Sequence, residues 1–153
     1  MRAVVQRVRY ARVEVDTRVV GSIGHGLLAL VGVERGDGAA DVAHLAAKLR
    51  ELRIFDDDGG PDGRPRMNRS VVDVGGSVLV VSQFTLAADT RRGRRPSFDA
   101  AAPPDEARRL YEDVVADLRA SGVEVATGEF QAAMRVTLEN DGPVTFVLES
   151  RSA

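Results

Sequence analysis

Two stretches of this chain carry apolar side chains at consecutive positions instead of alternate ones. Residues 27–33 read Leu-Leu-Ala-Leu-Val-Gly-Val, and Val78-Leu79-Val80-Val81 follows some fifty residues later. A strand sends successive side chains to opposite faces, so such a run is buried on both sides and belongs in the middle of a sheet. The first run is broken by Gly36-Asp37-Gly38. The second, read as residues 78–84, ends in polar groups.

The remaining pattern fills in around these strands. Apolar residues alternate about Val13 and Val15, a turn falls near Asp16-Thr17, and alternation resumes at Val19-Val20, as in a hairpin. Gly24-His25-Gly26 marks a further turn. Val42, Leu45, Ala46, Leu49 and Leu52 recur at spacings of three and four and predict a helix. Pro103 and Pro104 open a second helix, with Asp105 and Glu106 in the first turn where the dipole favours negative charge. Its stripe is Ala107, Leu110, Tyr111, Val114, Val115 and Leu118, and Gly122 is the expected C-terminal cap. Residues 56–66, rich in Asp, Gly and Pro, form a loop expected to be the most mobile segment, and 68–73 fit no element clearly. Strands near 123–126, 134–139 and 144–150 close the chain, the last two joined by a tight turn at Gly142-Pro143. This order suggests an α/β fold: a mixed sheet with two main helices on one side.

With 153 residues the chain is one domain over 1–153, large enough for a core without staples. It has no cysteine, which excludes disulfides, a thiol nucleophile and thiolate metal sites. Two histidines, His25 and His44, are too few for most zinc or iron centres, and no metal or cofactor is expected. The start, Met1-Arg2-Ala3-Val4-Val5-Gln6-Arg7, lacks a hydrophobic signal segment, and no apolar run approaches membrane-spanning length, so a cytoplasmic protein is expected. A net charge of −2 argues against a general nucleic-acid binder. Arg91, Arg92, Arg94 and Arg95 nevertheless cluster around Gly93. Such a cluster is either a solvated loop or a holder of a few phosphates, whose oxygens match guanidinium forks.

Two motifs carry chemistry. Ser82-Gln83-Phe84-Thr85-Leu86 places hydroxyl and amide groups at the mouth of a buried strand. Asn140-Asp141-Gly142-Pro143-Val144-Thr145 contains an X-Pro bond, the kind that reaches the cis form most easily and can then aim two successive carbonyls the same way. From spacing alone, Ser82 and Thr85 merely finish a strand, Arg7 is a surface or edge residue, and Phe84 and Met134 are core. His25 sits in a glycine turn and His44 beside a helix stripe; a Ser-His-Asp triad on Ser82 would need one of them. The G-x-S-x-G elbow and the glycine-rich phosphate loops are absent.

Taken together, these residues resemble the D-aminoacyl-tRNA deacylase family, whose first described member acts on D-tyrosyl-tRNA. The likeness runs nearly end to end. It begins with Met1-Arg2-Ala3-Val4-Val5-Gln6-Arg7-Val8, includes Leu52-Arg53-Ile54-Phe55 and both motifs above, and continues through Gly93-Arg94-Arg95-Pro96-Ser97-Phe98 and Thr127-Gly128-Glu129-Phe130. The resemblance implies a three-layer subunit with barrel-like strands, paired as a homodimer. It implies a site made of Ser82, Gln83, Phe84 and Thr85 from one subunit and a cis Gly142-Pro143 from the other. The two carbonyls of that bond would hold the substrate's α-ammonium, and the rigid wall would reject L-aminoacyl groups while passing D-aminoacyl and glycyl groups. Arg7 would clamp the Gly-Pro segment, with Phe84 and Met134 as pocket walls. The aminoacyl-tRNA would supply a ribose hydroxyl to assist hydrolysis, and main-chain N–H groups near Phe84 and Thr85 would hold the oxyanion. The alternative gives Thr85 the nucleophile's role. Two departures stand out: Gln131-Ala132-Ala133 replaces a small Gly-Ala pair, and the loop over 57–66 is long. Competing readings are a tRNA-end binding module without catalysis and a serine esterase of small molecules.

Overall fold

The computed structural model describes residues 1–150. Arg151, Ser152 and Ala153, within the expected single domain, lie outside the described residues. Three strands lead: β1 (Arg2–Val15), β2 (Arg18–Ile23) and β3 (Gly26–Gly32). The β1–β2 turn uses Asp16 and Thr17 at φ of 49° and 67°, a left-handed pair whose twist suits a hairpin. Helix α1 (Ala39–Glu51) follows, then the short ribbon β4 (Phe55–Asp56) and β5 (Met67–Arg69). Next come β6 (Ser77–Ser82), a 3-10 turn at Phe84–Ala87, α2 (Pro104–Ala120), β7 (Glu124–Thr127) and β8 (Arg135–Glu149).

The main sheet is mixed, in the order β2-β1-β3-β6-β7, with β8 on the remaining edge of β1. β3, β6 and β7 run parallel, and β1 is antiparallel to all three of its partners. Both helices pack on one face, burying Leu45, Leu49, Leu110, Val114 and Leu118 against Ala29, Val31, Val78 and Val80. The opposite face curls until β2 meets β7 and encloses a second core of Val8, Val13, Ile23, Leu28, Leu79 and Val81. This explains the uninterrupted apolar runs of β3 and β6. One face meets helices and the other meets the inside of a nearly closed barrel.

Helix positions follow the sequence pattern. Pro104 opens α2, and Gly122, at φ 90°, stands just past its end. One reading is corrected. The last two expected strands are a single strand, β8, and both halves of it pair with β1. Because β1 continues unbroken for 14 residues, its partner need not reverse. Asn140 faces Val8 and Thr145 faces Gln6, so five steps on β8 (140 to 145) oppose two on β1 (8 to 6). Gly142-Pro143 is therefore the tip of a bulge, not a chain-reversing turn. The loop over 57–66 is tied down by Asp57, whose carboxylate accepts bonds from the N–H groups of Gly59 and Arg66 at 3.0 Å and from Asn68 Nδ2 at 2.7 Å.

Candidate active site

The parallel ladder of β3 and β6 delivers the serine motif. Ser82 pairs with Val31, and the Gln83 N–H donates to the Val31 carbonyl at 2.8 Å. The chain then tightens into the 3-10 turn, with Leu86 N–H donating to the Gln83 carbonyl and Ala88 N–H to the Thr85 carbonyl. Gly32 makes this possible: a Cβ there would stand 2.9 Å from both the Gln83 carbonyl oxygen and Leu86 Cβ. The first two N–H groups of the turn, on Phe84 and Thr85, donate to nothing among the described residues. They are the orphan donors that every helical turn leaves at its start. Gln83 Nε2 donates to the exposed Thr85 hydroxyl, which holds both side chains over the strand end.

Beside this strand end lies a cleft of about 550 Å³, within the ordinary range of small-molecule sites. Ser82, Gln83 and Phe84 line it on one side, Ala101 and Ala102 on another, and Phe130, Gln131 and Met134 close the far wall. No side chain in its lining is ionisable. Helix α2 fixes that wall. Arg108 lies 4.8 Å over the Phe130 ring, and Tyr111 packs against it at 6.1 Å. The Tyr111 hydroxyl donates to the Val80 carbonyl at 2.8 Å, tying α2 to the strand that carries Ser82. Burial pushes this phenol up to about 12, so it stays a neutral donor. Gln131 has φ 63°. It adopts the left-handed conformation that the expected glycine would take freely.

The Gly-Pro motif is built separately. The Gly142-Pro143 bond is cis, and Gly142 has φ 149°, where a Cβ would stand 2.6 Å from Val144 Cγ2. Asn140 closes the bulge: its Oδ1 accepts the Val144 N–H at 2.7 Å, and its Nδ2 donates to the Val144 carbonyl at 3.2 Å. Arg7, far from being a surface residue, is buried. Its Nε donates to the Asp141 carbonyl at 2.9 Å and its Nη1 to the Ile54 carbonyl at 2.9 Å, with the Asp141 and Asp56 carboxylates 3.7 and 3.6 Å away. Arg7 therefore pins the bulge to the end of the α1–β4 connection.

Within one chain these two assemblies do not meet. Ser82 aligns through Val31 with Ala3, whereas the bulge faces Arg7, three strands away across β6, β3, β1 and β8. Four residues along the strand and three strand spacings separate the motifs by on the order of 15–20 Å. Arg7, Thr85, Gly142 and Pro143 lie outside the cleft lining, and Met134 lies within it. His25 is exposed and stacks edge-on against Phe55 at 5.1 Å; His44 is exposed on α1. Neither lines the cleft beside Ser82 or shares a hydrogen bond with it among the described residues, so the alternative of a Ser-His-Asp triad has no base there. Of the four arginines, Arg91 is taken by Asp89, which accepts from Nε at 2.9 Å and Nη2 at 2.7 Å. This pair holds the Asp89 carboxyl well below the usual carboxylate range. Sequence reasoning left Phe130, Ala101, Ala102 and Arg108 without roles, since loops and a helix bring them to the cleft and no local pattern marks them.

The chain resembles known proteins over almost its full length. The model of a family described as D-Tyr-tRNA(Tyr) deacylase matches residues 4–149. Proteins named D-aminoacyl-tRNA deacylase from Heliobacterium modesticaldum and Geobacter sulfurreducens are 60% and 58% identical, each match covering 99% of this chain and 97% of the relative. A solved structure titled c-Myc DNA Unwinding Element Binding Protein superposes with a TM-score of 0.90 at 36% identity, covering 99% of this chain and all of that one. A second, titled as a probable eukaryotic D-amino acid tRNA deacylase, shares the fold with a TM-score of 0.79 at 17% identity, covering 96% of this chain and 97% of that one. With matches of this length and identity, the chain belongs to the D-Tyr-tRNA(Tyr) deacylase family.

Proposed function

We propose that this protein is a D-aminoacyl-tRNA deacylase, a hydrolase that cleaves the ester between a D-amino acid and the terminal ribose of tRNA. One observation carries the reading of how it works. A strand end presents two unpaired main-chain N–H groups and a hydroxyl–amide pair beside a cleft whose lining has no acid or base. That suits an activated ester that brings its own assisting group. The N–H groups of Phe84 and Thr85 receive the oxyanion, and the adjacent ribose 2′-hydroxyl orients the attacking water, taking its proton only as it passes its own to the departing 3′-oxygen. Ser82 and Gln83 shape the entrance, while Phe130 and Met134 flank the terminal adenosine.

Chirality is selected by the Gly142-Pro143 carbonyls, which receive the substrate's α-ammonium and leave no space for an L side chain; a glycyl ester passes. These carbonyls come from a second subunit, because the two motifs of one chain are too far apart to touch one aminoacyl group. The open edge of β8 supports such pairing. It carries Phe146 and Val147 exposed at 40% and 67%, apolar surface that an isolated monomer would leave in water. Each subunit acts as a single domain over 1–153 in the cytoplasm. Among the described residues no helix is long and apolar enough to cross a membrane.

The test is turnover of D-tyrosyl-tRNA carrying a 2′-deoxy terminal adenosine. Loss of the hydroxyl is expected to slow hydrolysis by on the order of 10²-fold or more, well beyond the effect of Thr85→Ala or Ser82→Ala. Full rate on the deoxy ester together with a dead Thr85→Ala variant would assign the nucleophile to Thr85. Tight binding of D-tyrosyl-tRNA without any turnover would make the protein a binding module.

A further inference from the structure

Next to the cleft, two aromatic rings stand in solvent. Phe84 and Phe98 are 58% and 41% exposed, with ring centroids 5.2 Å apart and planes tilted by 53°. They are held in place by their surroundings. Ala101 N–H donates to the Phe98 carbonyl at 3.0 Å, Ala102 N–H to Val33 at 3.1 Å, and Arg35 grips the same segment through its N–H to Ala100 at 2.9 Å and its Nε to the Asp99 carbonyl at 2.7 Å. On the other side, Asp89 and Ser97 exchange backbone bonds of 2.8 and 2.9 Å, which close the intervening loop into a projection.

The charge on that projection is divided. Arg91 is folded back onto Asp89, as described. Arg92, Arg94 and Arg95 are exposed and make no hydrogen bond or ion pair among the described residues. Three unpaired guanidinium groups beside an open aromatic pair, in a chain of net charge −2, form a local device unlike the surface at large. Aromatic faces stack bases without regard to sequence, and guanidinium forks take the phosphates between them.

We propose that Phe84 and Phe98 form a stacking platform for the nucleotide that precedes the terminal adenosine, with Arg92, Arg94 and Arg95 receiving the phosphates behind it. The proposal rests on the deacylase reading, since it assumes that the adenosine occupies the adjacent cleft. Position supports it: Phe84, Ala101 and Ala102 line the cleft and also border the platform, so a strand leaving the cleft runs directly over the rings. Phe98 thereby becomes a positioning residue for the single-stranded 3′ end.

The experiment compares Phe98→Ala with the unaltered protein on two esters, D-tyrosyl-tRNA and D-tyrosyl-adenosine, the second lacking every upstream nucleotide. The platform predicts a kcat/KM about 10-fold or more lower on the tRNA, in keeping with the worth of one stacked base. It also predicts no change on the adenosine ester and near-complete rescue by Phe98→Trp. In parallel, an uncharged RNA hairpin ending in single-stranded 2-aminopurine-adenosine should be quenched by the unaltered protein and not by Phe98→Ala. Equal loss on both esters, no loss on either, or quenching that survives Phe98→Ala would overturn the platform. So would a shift of Phe98→Ala to a different oligomeric state in sedimentation, which would mark the pair as a contact between copies. Should the unaltered protein hydrolyse neither ester, the deacylase reading fails while the quenching experiment still decides the platform.

Discussion

At the scale of single residues, Arg7 and Gln131 have the most to say. The Arg7 guanidinium is 8% exposed and reaches two carbonyls on separate elements, so its removal strands both acceptors. Arg7→Ala is expected to lower stability by on the order of 3 kcal/mol, read from the urea midpoint, and to blunt discrimination between D- and L-esters. Arg7→Lys should recover little, because one ammonium cannot serve both carbonyls as a planar fork does. An unchanged midpoint in Arg7→Ala would mean that the bulge stands without its clamp. Gln131 works in the opposite sense. Its left-handed backbone is unfavourable for any residue with a Cβ, so Gln131→Gly should stabilise the protein by about 1 kcal/mol. The same change removes a side chain from the cleft wall, so KM for D-tyrosyl-tRNA should shift with little change in kcat. A loss of stability in Gln131→Gly would show that the amide makes a compensating contact.

At the scale of elements, the turn after β6 depends on the strand beside it. Gly32→Ala would push the Gln83 carbonyl and Leu86 away from β3, swinging the Phe84 and Thr85 N–H groups off their aim; kcat is expected to fall more than KM rises. The β4–β5 ribbon has a different sensitivity. Hydrogen bonds, first from Asn68 and then from Arg66 and Gly59, lower Asp57 to about 2, whereas an unfolded Asp titrates near ~3.9. Its contribution is therefore complete above about pH 4 and is lost as pH falls through about 2. Amide protection in residues 57–66, taken relative to the intrinsic exchange rate at each pH, should fall as pH drops through that window and stay level above it. The elements also show what a sequence can reveal. Unbroken apolar runs announced β3 and β6, and stripes at three and four announced both helices, because burial on one or two faces writes directly into residue order. The continuity of β8 was hidden. A Gly-Pro pair looks the same in a hairpin and in a bulge, and only the unbroken 14-residue pairing strand β1 decides between them. The cleft walls at Ala101, Ala102 and Phe130 were hidden for a related reason. They come from irregular segments aligned by backbone bonds to Val33 and Glu34 and by α2, and tertiary placement of that kind leaves no periodic trace.

At the scale of the whole molecule, the proposed function draws the strand end and the Gly-Pro bulge of one site from two copies of the chain. A closed two-fold pair forms both sites together, since the same surfaces meet twice. Complementation can expose this. Phe84→Pro removes one oxyanion donor at a position where the turn tolerates proline, because that N–H has no partner and Gln83 is not helical. Gly142→Ala spoils the bulge of an otherwise intact chain. Each variant alone should be nearly inactive, and mixed subunits that exchange should regain one working site per heterodimer. No recovery after demonstrated exchange would place both motifs in one subunit's pocket. The proposed function makes the fold a filter for the hand of an aminoacyl ester. The most direct test is hydrolysis of matched D-tyrosyl- and L-tyrosyl-tRNA by the purified protein. The D-ester should be consumed while the L-ester stays almost untouched at the same enzyme concentration, and equal rates on the two would contradict the account.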